Sequence, residues 1–318
     1  MPEWTAEIEV DAGLARRLIA GQFPGLAIAS LAPFAEGWDN AVWLVNGELL
    51  FRFPRRAIAV PGVEREMAVL PLLAPLVPVA IPAVAYAGVP AGGYPWPFFG
   101  TPLLPGREAS EVVLDDDARV GLGRPLALFL RALHAGSVAR AMAGHPLPVD
   151  PNGRADMVRR VARTRRQLDE VARLGLWEPG PPALELLEEA AALGSAGSEV
   201  VVHGDLHFRH LLVGGDGALT GVIDWGDVCR GSRSIDLQLF WSFLPPAGRT
   251  AFLGTYGAVS DDELLRARVL ALSLNALLAA YGHEAGLPEV EREAVTGLRR
   301  TMVGSPTLGE MTDDDRRV

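Results

Sequence analysis

Val201-Val202-His203-Gly204-Asp205-Leu206-His207-Phe208-Arg209-His210-Leu211-Leu212-Val213, followed by Gly221-Val222-Ile223-Asp224-Trp225-Gly226-Asp227, is the most informative stretch of this chain. Each half sets an apolar β-type run beside clustered acids and imidazoles. Between them lies Gly214-Gly215-Asp216-Gly217, a turn signal. The simplest arrangement is a hairpin-like unit that brings Asp205, His210 and Asp224 to one end of a small sheet. A carboxylate base beside a metal-holding pair is what phosphoryl transfer needs. One group orients the acceptor hydroxyl, and the others hold a Mg2+ that neutralises charge on nucleotide phosphates.

The pair His203-Gly204-Asp205-Leu206-His207 and Ile223-Asp224-Trp225-Gly226-Asp227 resembles the catalytic and metal motifs of aminoglycoside phosphotransferase-like small-molecule kinases. Macrolide, choline, homoserine and fructosamine kinases belong to the same superfamily, which is similar in fold to protein kinases. Either motif alone would be weak; together, in this order, they are specific. The resemblance implies an α+β, two-lobed protein-kinase-like fold. A small antiparallel-sheet N-lobe would bind the nucleotide over residues 1–105, and a larger helical C-lobe over residues 106–318 would carry catalysis and the acceptor. It also implies ATP or GTP as phosphate donor, Mg2+ as cofactor, and an aminoglycoside- or macrolide-type antibiotic as acceptor.

Outside the motifs, composition sets bounds. The chain has 318 residues, 49% of them hydrophobic and 21% charged, enough for a large core in one two-lobed unit or two domains. No run of about 18 uninterrupted apolar residues marks a membrane span. Met1-Pro2-Glu3-Trp4 lacks the basic-then-apolar order of a signal peptide. A lone cysteine, Cys229, fits a reducing compartment, so a cytoplasmic location is expected. The net charge of -10 argues against a nucleic-acid partner, and an acidic cleft would favour a cationic acceptor. Acidity for solubility alone is an equally good reading. Oligomeric state is left open.

Working outward along the chain, Ile8, Leu14, Leu18 and Ile19 suggest one or two early helices. Asn46-Gly47, between the β-type runs Ala41–Val45 and Glu48–Phe53, is a strong hairpin signal. With Leu31–Ala35 these make three antiparallel strands. Val63, Met67, Leu70 and Leu73 recur at helical spacing. Ala83–Ala87 and Trp96–Leu104 are short strands that would complete the sheet. From about Glu108 the pattern is helical, with segments at Val120–His134, Arg154–Leu174, Leu184–Leu193, Ile235–Phe243, Ala247–Tyr256, Asp261–His283 and Leu287–Met302. The tail from Thr312 to Val318 reads as solvated.

The resemblance assigns roles position by position. Asp205 is the catalytic base and Asp224 the metal ligand. Asp227 is a supporting metal group or a solvated loop acid. His210 stands where most of the family has a metal-binding asparagine. Imidazole is the softer donor, and macrolide kinases are similar in carrying histidine there. His203 and His207 would hold the loop. Arg209 would meet a phosphate or pair with a surface acid. The chain has no lysine, all 29 basic residues being arginine, so Arg52 in Leu50-Phe51-Arg52-Phe53-Pro54 takes the place of the nucleotide-binding lysine. Glu66 is its helix partner, with Glu64 the alternative. Gly37 and Asn40, in Gly37-Trp38-Asp39-Asn40, sit where the phosphate-covering loop belongs. Phe98–Leu104 would contain the purine-binding hinge, and Asp236 would support the catalytic loop.

Two other readings compete. A nucleotide-binding pseudokinase is suggested by the paired departures Arg52 and His210. A metal-dependent hydrolase could use His203, Asp205, His207 and Asp224.

Overall fold

The computed structural model describes residues 6–36, 39–145, 147–197 and 200–304. Gly37, and the tail expected to be solvated, lie outside the described residues.

After helix α1 (Ala12–Gln22), capped by Asp11, come strands β1 (Leu31–Glu36), β2 (Asn40–Val45) and β3 (Leu49–Pro54). The β2–β3 hairpin turns at Asn46-Gly47, both left-handed at φ 55° and 73°. Asn46 also bonds through its side chain to Ala27, Ala29 and Ser30, fixing the segment that enters β1. Helix α2 (Val60–Leu73) is followed by β4 (Tyr86–Gly88) and β5 (Phe98–Pro102). All pairings are antiparallel, in the order β1-β2-β3-β5-β4. Strand alternation sends Phe51 and Phe53 into a core with Ala15, Leu18, Ile19, Tyr94 and Phe98. Arg52, between them, therefore faces the other way, towards α2.

The rest of the chain is mostly helical: α3 (Asp116–Leu133), α4 (Gly136–Ala141), α5 (Met157–Arg173), α6 (Pro181–Ala191), α7 (Gln238–Ser242), α8 (Pro246–Tyr256), α9 (Asp261–Glu284) and α10 (Pro288–Met302). Helix α9 is long and apolar enough to cross a membrane by length and composition. Its apolar residues, including Val269, Leu270, Leu272 and Ala276, are spent on packing against α5, α7 and α10 within one large core. The α+β, two-lobed arrangement matches the expected class.

Two local expectations differ. The segment around Arg154 is not helical, since α5 starts at Met157. Asn152-Gly153 and the Asp150 carboxylate, which accepts from the amides of Arg154 and Ala155, build a turn there instead. The informative stretch is also not one hairpin. Strand β7 (Val200–Val202) pairs with β10 (Cys229–Gly231), while β8 (Leu211–Val213) pairs with β9 (Leu219–Val222) and with β6 (Arg107–Glu108). The turn at Gly214–Gly217 joins β8 to β9, and the loop carrying Asp205 bridges the two small sheets. The acids still converge, because both sheets end at the same cleft.

Candidate active site

Loop 203–207 is held from beneath. The fully buried Asp236 accepts from the amides of His203 (2.8 Å) and Gly204 (3.1 Å) and meets His134 Nε2 at 3.1 Å. Buried Gln238 donates to the Leu206 carbonyl. Gly204 is left-handed at φ 91°, and a Cβ there would fall 2.2 Å from the Asp227 carbonyl oxygen, so the loop admits only glycine. His203 is fully buried. Its Nε2 donates to Ile223 O at 3.0 Å and its Nδ1 accepts from the Asp205 amide at 3.3 Å, stitching the first motif to the second.

Asp205 Oδ1 lies 3.2 Å from Arg154 Nη2, and its Oδ2 lies 3.7 Å from His207 Nε2. Burial would raise this carboxyl. His207, Arg154 and His210 outweigh burial and hold it far below the usual carboxylate range, so it is ionised at neutral pH. His210 Nδ1 meets the Asp205 carbonyl oxygen at 2.7 Å. A carbonyl only accepts, so Nδ1 carries a proton; Nε2, 3.4 Å from Asp224 Oδ2, has a free lone pair when the ring is neutral. Burial, reinforced by the neighbouring His207, lowers the His210 pKa and favours this neutral, ligand-competent form.

Asp224 follows β9 in a left-handed conformation, φ 65°, unusual for a non-glycine residue and typical of functional sites. Its side chain stays 47% exposed at the cleft mouth. Desolvation in the cleft opposes ionisation, but Arg52 and His210 prevail and bring its pKa down to about 2. Arg52 Nη1 lies 3.0 Å from Glu66 Oε2 and 3.2 Å from Asp224 Oδ1. Glu66 is buried and also accepts from the Trp225 amide at 2.7 Å. Burial raises its pKa against the pull of Arg52. Arg65 Nη2 donates to Gly226 O at 2.6 Å, a second tie from α2 to the Asp224 loop.

The structure thus brings Arg52, Glu66, Asp205, His210 and Asp224 to one cleft, and Glu66, not Glu64, meets Arg52. Asn40 opens β2, and its buried Oδ1 has no hydrogen-bond partner among the described residues. Arg209 pairs with Glu108 at 3.3 Å, the acid-pairing alternative. Asp227 Oδ2 accepts from Arg154 Nη2 at 2.6 Å. The residues present suit a divalent cation. Asp224 offers a hard oxygen and His210 a free nitrogen, and Asp205, His207 and His210 have ligand atoms within 4.8 Å of one another.

The sequence profile of the phosphotransferase enzyme family matches residues 30–270, which include every residue of this cleft. The chain belongs to that family. No curated protein matches it. Solved structures similar in fold include the GDP complex of wild-type aminoglycoside 2'-phosphotransferase-IIIa, at 24% identity and TM-score 0.65, covering 91% of this chain and 97% of that one. Macrolide 2'-phosphotransferase type I is similar at 22% identity and TM-score 0.58, over 92% and 98% of the two chains. The apoenzyme of macrolide 2'-phosphotransferase MphH from Brachybacterium faecium follows at 24% and 0.56, over 89% and 97%.

For this phosphotransferase family member, sequence reading missed Arg154. It touches both Asp205 and Asp227, yet lies far from them in the chain and looked like one charge among many on a basic-acidic helix. The turn signal Asn152-Gly153 beside it was the available hint. Arg154 also lines a cavity of about 250 Å³, together with Gly204, Asp205, Leu206, Gln167, Gln238 and Leu274.

Proposed function

We propose that this protein moves the γ-phosphate of ATP or GTP to a hydroxyl of a small molecule. One observation carries the reading: Asp205 lines the cavity, while Asp224 Oδ2 and His210 Nε2 face each other at 3.4 Å beside it. Asp205 accepts the hydrogen bond of the acceptor hydroxyl and aims its oxygen at the phosphorus, a function that contributes about 10²–10⁴ in rate. Arg154 positions Asp205. Asp224 and His210 would hold Mg2+, whose charge offsets that of the nucleotide phosphates. Arg52, kept in place by Glu66, and the segment at Gly37 and Asn40 serve the phosphates, with residues 1–105 forming the nucleotide lobe and 106–318 the catalytic one. Such a donor is most available in the cytoplasm.

Solved relatives acting on aminoglycosides and macrolides make antibiotics of those types the first acceptors to screen. A kinase of a small metabolite is the second reading, favoured by the cavity volume of about 250 Å³, small beside sites for drug-sized ligands. A thermal-shift titration with ATP and GTP, with and without Mg2+, tests the donor site. A Mg2+-dependent rise in melting temperature with one nucleotide supports the proposal. No shift with either at millimolar concentration would return the protein to the pseudokinase reading.

A further inference from the structure

The cavity beside Asp205 has a charge opposite to that of the whole chain. Against a net charge of -10, its wall carries Arg154, Arg160 and Arg163, and Asp205 is its one acid. Arg154 is neutralised by Asp205 and Asp227, although its Nη1 is buried without a partner. Arg160 is different. It is only 8% exposed, yet no carboxylate among the described residues pairs with it. Its Nη1 reaches only Ser273 Oγ, at 3.5 Å, and its Nε has no hydrogen-bond partner. Asp150 and Asp156 act on it from a distance, but both are engaged elsewhere: Asp150 accepts from the amides of Arg154 and Ala155, and Asp156 caps α5. Arg163, one turn further along α5, is exposed and has no ion-pair partner among the described residues.

A buried guanidinium with unmet donors is costly unless something else completes it. The side chains of Leu206, Ile235, Leu270 and Leu274 offer no acceptor, and the amide oxygens of Gln167 and Gln238 already accept from Ser273 and Ser242. Burial and the neighbouring arginines Arg163 and Arg154 lower the Arg160 pKa to about 10, which still leaves it charged at neutral pH. An anion from outside the chain would complete these donors. A polycation would enter against the unpaired guanidinium groups of Arg160 and Arg163.

We propose that the acceptor carries an anionic oxygen group, a carboxylate or a phosphate, which Arg160 and Arg163 bind while an apolar middle lies on the leucine wall and a hydroxyl reaches Asp205. This rests on the phosphotransfer reading for its hydroxyl, but the anion site stands on its own geometry. Guanidinium forks suit both head groups.

The test uses one chain length with four head groups: 6-hydroxyhexanoate, 6-hydroxyhexyl phosphate, 1,6-hexanediol and 6-aminohexan-1-ol. Binding is read by melting temperature and calorimetry, with and without Mg2+-nucleotide. At least one anion is expected to bind about tenfold or more tightly than the diol, as one charge-assisted hydrogen bond implies. Which anion wins separates carboxylate from phosphate. Arg163→Gln, on the exposed face of α5, should weaken that anion severalfold and leave the diol unchanged. Arg160→Met should abolish the preference. The inference is overturned if the amine or the diol binds as well as both anions, or if neither anion binds to protein that still binds nucleotide. Failure of the phosphotransfer reading looks different: anions bind, but no nucleotide does.

Discussion

Arg52 Nη1 lies 3.2 Å from Asp224 Oδ1, an ion pair that joins the third strand of the N-terminal sheet to the proposed metal ligand of the helical lobe. The same nitrogen meets Glu66, so one guanidinium satisfies two acids. Lysine carries its charge on a shorter stem, so an ammonium held by buried Glu66 would lie farther from Asp224. Arg52→Lys is therefore expected to release Asp224, lowering the half-saturating Mg2+ concentration for nucleotide binding severalfold. Arg52→Met leaves buried Glu66 uncompensated and should cost about 3–5 kcal/mol of stability in urea unfolding. An unchanged Mg2+ dependence in Arg52→Lys would show that the pair does not compete with metal.

His210 should leave its mark on metal choice. An imidazole nitrogen favours softer first-row ions more than an amide oxygen does. Turnover with Mn2+ or Co2+ relative to Mg2+ is expected to fall several-fold in His210→Asn, with Mg2+ affinity rising. If zinc instead co-purifies at one ion per chain and the protein hydrolyses substrates without nucleotide, Asp205, His207 and His210 form the metal site of a hydrolase.

Asp205→Asn keeps the shape of the loop but removes the acceptor for the hydroxyl proton. The expected loss in kcat is about 10²–10⁴, with the nucleotide-induced melting shift retained. Full turnover in this variant with a true acceptor would refute the base assignment.

The sequence made the convergence of Asp205, His210 and Asp224 legible because the motifs are short and each stands beside an apolar run. The β2–β3 hairpin was equally plain, since Asn46-Gly47 can turn left-handed at both positions. Strand alternation then put Arg52 opposite Phe51 and Phe53. Pairing across the informative stretch was misread because Val200–Val202 finds its partner in Cys229–Gly231, beyond the second motif. Local turn chemistry says nothing about such a partner. The arginines of the cavity were illegible for another reason. Arg160 lies on a helix whose other charges face solvent, and only packing against Ser273 on α9 reveals that this one is buried. Net charge averages over the whole surface, whereas a cavity feels its own wall, so the composition could not reveal these arginines.

Arg233 and Glu263 offer a stability test clear of the candidate active site. Glu263 Oε1 lies 2.5 Å from Arg233 Nε, and Oε2 lies 2.7 Å from Nη2. Glu263 also closes the capping box with Ser260 at the start of α9. Partial burial works against its ionisation, but the bonds from Arg233 and Ser260 dominate and bring its pKa down to about 2. The folded state therefore binds its proton less readily than the unfolded chain, whose glutamates titrate near ~4.3. The stabilisation is fully present above that pH and disappears as pH falls towards 2. Glutamine preserves the cap but not the charge. Glu263→Gln should cost about 1–2 kcal/mol at pH 7, allowing for solvent screening of a partly exposed pair. By about pH 3 the difference from the parent should shrink to less than half. Urea unfolding at both pH values measures it. A cost that does not shrink in acid would mean that glutamine disturbs the cap or the packing, and that the ion pair adds nothing to the attachment of α9.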